Sequence, residues 1–226
     1  MINARILQLP LSFNASDELL KLDRELFGKA GDTVNEIRRE YYAAFADFGN
    51  EPLKEAAGAW HFYYREYEAL PFIRNAATDG QLVWFGKHVL GGTHRVGCPD
   101  PDSKILRALT ESAERFKRLS QKAKETEGVT PKDARLYFRQ FLKYPILYMQ
   151  LLSEWCIACV NLTNEALPAE ERKQSGCLAC SYLERILDER KVLEVGEWQN
   201  WHRGEKKVDV KKLLERTKEV YKGIKT

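Results

Sequence analysis

Residues 33–49 run Thr33-Val-Asn-Glu-Ile-Arg-Arg-Glu-Tyr-Tyr-Ala-Ala-Phe-Ala-Asp-Phe-Gly49. Thr33 and Glu36 stand at the spacing of a capping box, in which a hydroxyl and a carboxylate satisfy the free N–H groups that open a helix. Behind them Val34, Ile37, Tyr41, Phe45 and Phe48 recur every three or four residues, which places them on one face of an α-helix. Gly49 supplies a stop. Apolar residues at this period, bounded in this way, set the expectation for the fold class, and the flanking sequence repeats the pattern.

Upstream, Ser16 is a candidate N-cap for a helix carrying Leu19, Leu22 and Leu26, with Gly28 as its end. Downstream, Pro52 suits the first turn of a helix whose seam is Leu53, Ala56, Trp60, Tyr63, Tyr67 and Leu70. A segment with Leu82, Phe85 and Val89 ends at Gly91-Gly92, followed by a turn-rich loop over 93–101. Asp102 or Ser103 starts a helix through Ile105, Leu109, Phe116 and Leu119 that stops near Gly128. Thr130-Pro131 then caps a long helix to about Glu165, interrupted at Pro145, because proline removes a donor and clashes with the preceding turn. Pro168 opens another helix to about Leu193, and the last begins near Asp209. Alternating β patterning is confined to the first dozen residues. The expectation is an all-α fold, an antiparallel bundle of seven or eight helices, forming a single domain over 1–226 with a possible subdomain boundary at 93–101.

Composition fits that class. The chain has 226 residues, 44% hydrophobic and 31% charged, with only 14 Gly and 8 Pro, which excludes collagen-like and disordered classes. No run approaches 18 uncharged apolar residues, and the N-terminal MINARILQLPLSF lacks the apolar stretch of a signal peptide. No membrane partner is therefore expected, and free thiols without a leader favour the cytoplasm. The net charge is +3, but residues 203–226 hold nine basic and four acidic side chains, leaving a near-neutral body. In that tail Val210, Leu213, Leu214 and Val220 recur at helical spacing between the charges. The pattern describes an amphipathic terminal helix with a solvated face rather than a nucleic-acid site.

Four of the five cysteines form Cys156-x2-Cys159-x17-Cys177-x2-Cys180. As spacing alone this matches a four-thiolate zinc or iron–sulfur pattern. Both pairs fall on expected helices, however. In a hairpin turning near Pro168, Cys156 stands level with Cys180 and Cys159 with Cys177. On the first helix Leu147, Leu151, Trp155, Ala158 and Leu162 define the apolar face, with Cys159 inside it and Cys156 on its flank. On the second, Leu178, Ala179, Leu183 and Ile186 centre the face, Cys180 sits at its edge and Cys177 almost opposite. Small-residue packing, with no cofactor, is the expectation; a metal or cluster on the four thiols is the alternative.

Other chemistry is sparse. His61, His88, His94 and His202 are too scattered for a metal signature, and no GxSxG or GxGxxG occurs. Carboxylates such as Glu66/Glu68 and Glu170/Glu171 have the frequency of solvated helix faces, so no catalytic residue is assigned. The remaining candidate is Gly196-Glu-Trp-Gln-Asn-Trp-His-Arg-Gly204, which sets Trp198 and Trp201 beside His202 and Arg203. Two such rings can stack on a sugar or plug the end of a bundle.

The segment Leu26-Phe-Gly-Lys-Ala-Gly-Asp-Thr-Val34 with Tyr41-Tyr42 resembles the start of the helical region that follows the catalytic barrel in large bacterial alpha-glucuronidase-like and related glycoside-hydrolase-like proteins. The ending Trp198-Gln-Asn-Trp201-His-Arg-Gly-Glu-Lys-Lys207 resembles a recurring ending there, and Ile2-Asn-Ala-Arg-Ile-Leu7 the stretch leaving the barrel. The resemblance implies a non-catalytic accessory domain whose partners are a catalytic barrel or carbohydrate, with the catalytic carboxylates elsewhere. The different-class alternative is a stand-alone helical metal- or redox-binding protein using Cys156, Cys159, Cys177 and Cys180.

Overall fold

The computed structural model describes residues 14–47, 104–164, 166–194 and 210–224. Among them the chain is helical throughout, with no strand: α1 (Ala15–Phe27), α2 (Gly31–Asp47), α3 (Lys104–Val129), α4 (Arg135–Thr163), α5 (Ala169–Lys191) and α6 (Val210–Lys222). The all-α expectation is met. The count of seven or eight helices is not reached among the described residues, since the segments expected over 52–70 and 82–89 lie outside them. So does the candidate boundary at 93–101.

Each helix packs on the next in chain order, and paired side chains fix the directions. Asp23 on α1 meets Asn35 and Arg38 on α2 while Arg24 meets Asp32, so the two helices run antiparallel. Lys122 on α3 bridges Glu36 and Glu40 on α2. Glu127 at the end of α3 holds Arg139 and Lys143 at the start of α4. Gln140 on α4 donates to the Leu193 carbonyl beyond α5, and Lys218 on α6 pairs with Glu184 on α5. Hairpin turns therefore alternate between two ends of the bundle. One end holds the α1–α2 turn, the α3–α4 turn, the end of α5 and the start of α6. The other holds the α4–α5 turn, and there α2 ends and α3 begins.

The core is organised on α4. Fifteen of the twenty residues in Tyr144–Thr163 are buried and the other five are half-buried, so no residue of that helix is fully exposed. By length and composition the span Arg135–Leu162 could cross a membrane, but 72% of its most apolar window is buried inside the fold by its neighbours. Pro145 interrupts it as expected. The interruption takes the form of a π-turn over Arg139–Lys143, in which the Tyr144 N–H donates to the Arg139 carbonyl five residues back.

Several expected boundaries shift for identifiable reasons. Asn14, not Ser16, caps α1: its side-chain oxygen accepts from the Ser16 N–H at 3.0 Å. Gly28 does end α1, with φ 54°, but a 3-10 turn over Gly28–Ala30 leads straight into α2. That helix starts at Gly31, so Thr33 falls inside its first turn and does not cap it. Gly31 is required there, because a Cβ would lie 2.5 Å from the Arg24 Cα. Thr130 closes α3, donating its hydroxyl to the Thr126 carbonyl at 2.9 Å, and α4 begins four residues past Pro131.

Candidate functional site

The α4–α5 hairpin separates the four cysteines. Cys156 and Cys159 are wholly buried on α4, Cys180 is buried at the margin of α5, and Cys177 is exposed. Burial pushes the Cys156 thiol up, and Cys159 further, because the neighbouring thiols of Cys156 and Cys180 add to the cost of charge. Cys180 is raised for the same reason, partly offset by Lys218. Metal ligation uses thiolates that converge on one point. Here three thiols are buried while the fourth faces solvent, so in this arrangement the four do not converge on one point. Among the described residues no group of three or more His, Cys, Asp or Glu side chains is arranged to hold a metal ion.

On α5 the apolar stripe differs from the expectation. Gly176, Ala179, Leu183 and Ile186 are buried, whereas Leu178 is 52% exposed. The stripe is set by Gly176, which lets α6 approach: a Cβ there would lie 2.6 Å from the Tyr221 ring. Cys180 follows Ala179 to the edge of that stripe, and Cys177 lies off it.

The aromatic candidates Trp198, Trp201, His202 and Arg203 lie outside the described residues. The structure does give their anchors: the chain leaves at Glu194 beyond α5 and returns at Val210 on α6, both at the end that holds the α3–α4 turn. At that end a cleft of about 180 Å3 opens between the start of α4 and the end of α5. Arg139 and Lys143 supply donors, Glu189 an acceptor, and Tyr144, Leu147, Val192 and Leu193 an apolar wall. The size suits a small hydroxylated ligand rather than an extended one.

Sequence reasoning did not single out this cleft or the carboxylate behind it. Glu127 accepts from both Arg139 and Lys143; these two bonds outweigh the effect of its own burial and hold its carboxyl below the usual range. The available signal was the spacing of Arg139 and Lys143, four apart on one helical face just before Pro145. Tyr144 of that wall packs at a tilt against Tyr148, one turn further along α4, with ring centroids 6.1 Å apart, and burial pushes both phenols up. On α1 Asp23, fully buried, accepts from Arg38 at 2.7 Å and Asn35 at 3.1 Å. Comparison with protein-family models, curated proteins and solved structures finds no match.

Proposed function

We propose that this chain is a non-catalytic helical accessory domain of a carbohydrate-active, glycoside-hydrolase-like protein, acting beside a catalytic barrel and contacting sugar at one end of its bundle. The observation that carries the proposal is the coincidence of two features at that end. The described chain leaves at Glu194 and returns at Val210 at that end, with Trp198, Trp201, His202 and Arg203 between them in sequence, and the Arg139–Lys143–Glu189 cleft opens at the same end. Indole faces with nearby donors and an acceptor are the chemistry of sugar contact. A non-catalytic role accords with how the buried carboxylates are used: Asp23 and Glu127 are consumed as ties between helices.

The experiment is calorimetric titration of the chain with a panel of neutral and acidic oligosaccharides. Binding by the parent chain, weakened at least tenfold in Trp201→Ala at an unchanged melting temperature, supports the proposal. No binding by the parent, or equal binding by the variant, overturns the sugar contact. Elemental analysis finding stoichiometric Zn, Fe or Cu would replace it with the metal- or redox-binding function of the cysteines.

A further inference from the structure

Charge in the cleft at the start of α4 is balanced. Glu127, at the end of α3, lies behind the lining with 12% of its side chain exposed, and accepts from the Arg139 Nε and, at 2.5 Å, from the Lys143 Nζ. Both cations reach past it, Arg139 with 40% and Lys143 with 25% of the side chain exposed. The Nε of Arg139 is engaged, so its two Nη groups and the remaining ammonium protons of Lys143 are the donors they bring to a ligand. From α5, Glu189 brings two acceptor oxygens to the same cleft.

Two positive charges thus meet two negative ones. Arg190 and Glu194, which flank Tyr144, pair with each other at 2.9 Å and add nothing to the balance. The Tyr144 phenol is held protonated by burial and carries no charge. Among the described residues the cleft offers hydrogen bonds of both senses with no net charge.

Resting on the sugar contact proposed above, we propose further that this cleft takes a single uncharged sugar ring and turns acidic sugars away, with Glu127 as the positioning residue that sets the choice. Without Glu127, Arg139 and Lys143 would form a doubly positive pair suited to a carboxylate or phosphate. With it, one of those charges is compensated from behind and Glu189 opposes the other. A uronic acid would lose the hydration of its carboxylate in a site with no positive charge left over to receive it. An amino sugar would set its ammonium against Arg139 and Lys143. A neutral ring donates hydroxyl protons to Glu189 and accepts from Arg139 and Lys143, while its C–H face lies on Leu147 and Val192. The volume of about 180 Å3 suits one ring rather than a chain.

The test is calorimetric titration of the full chain with methyl glucoside, methyl galactoside and methyl mannoside, each beside the uronide that differs from it only by a carboxylate at C6. The parent is expected to bind at least one neutral ring about tenfold more tightly than its uronide. Glu127→Gln and Glu189→Gln each leave one positive charge uncompensated, so each should narrow that ratio roughly tenfold by strengthening the acid, and the gain should fade as salt rises. Glu189→Gln keeps the ties of Glu127 to Arg139 and Lys143, and carries the test if Glu127→Gln does not fold. A parent that binds a uronide as tightly as its neutral partner, or variants that keep the parent's ratio, overturn the neutral preference and leave the sugar contact standing. Binding of neither member of any pair overturns it as well, and the oligosaccharide panel then decides the sugar contact by itself.

Discussion

Helices α4 and α5 form one hairpin and carry the same Cys-x2-Cys spacing, yet they treat it in opposite ways. α4 is covered on most sides, and both of its cysteines lie away from its half-buried stripe of Glu154, Ile157 and Asn161. α5 buries a single stripe, and three residues of helix carry Cys177 off it while Cys180 stays at its margin. A spacing fixes the angle between two side chains about the helix axis. Whether either becomes a ligand, a packing residue or a surface thiol is set by how many sides of the helix are covered. The same motif is therefore weak testimony on a helix and strong testimony on a turn, where the backbone itself points the thiols together.

The sharpest way to break this contrast is truncation. Trp155 on α4 is fully buried, and its Nε1 donates to the Thr217 hydroxyl at 3.3 Å across the α4–α6 contact. Trp155→Ala is expected to cost about 3–5 kcal/mol from lost contacts and the cavity left behind. Leu178→Ala on the open side of α5 should stay within about 0.5 kcal/mol. Urea denaturation read at constant m-value measures both. A cost for Leu178→Ala near that of Trp155→Ala would mean that α5 is covered on that side too.

How much of this was legible in sequence follows from the same distinction. Apolar period and punctuation located α3 to α6 within a few residues and anticipated the break at Pro145, because these are local effects of sterics and backbone donors. Asp23 was not legible as a core position. A carboxylate at 0% exposure becomes acceptable only once Arg38 and Asn35 arrive from the next helix, and nothing in α1 announces them. Leu178 was misplaced because the periodicity of α5 alone cannot tell it from Ala179. Gly176 decides, through its contact with Tyr221 on another helix. The cleft was invisible for a related reason: its lining comes from the first turns of α4 and the last of α5, about fifty residues apart.

A smaller effect sharpens the contrast between the cysteines themselves. Cys159→Ser puts a hydroxyl where a thiol is wholly enclosed, and should cost about 1–3 kcal/mol. Cys177→Ser exchanges one exposed polar group for another and should stay within about 0.5 kcal/mol. The same denaturation assay reads both, and equal costs would show that Cys177 is packed in solution.

The smallest effect per step is in alkaline pH, and it tests the buried pair on α4 against the exposed Cys177. Burial raises the Cys156 and Cys159 thiols above their ordinary value of 9.0. Below pH 9 both are protonated, folded or unfolded, and contribute no pH dependence. Above it the unfolded chain loses those protons while the folded chain keeps them, so the unfolded state gains and stability falls as pH rises. The expected loss is about 1 kcal/mol per buried thiol for each pH unit above 9. Tyr144 and Tyr148, also raised, join above their ordinary value of 10.0. Replacing Cys156 and Cys159 together by Ala should reduce the slope of the stability profile between pH 9 and 10, before the tyrosines enter, leaving the contribution of Cys180. Replacing Cys177 leaves both buried thiols of α4 in place, so the profile should keep its slope. A profile flattened equally by both replacements would place Cys177 in the interior and remove the difference between the two halves of the motif.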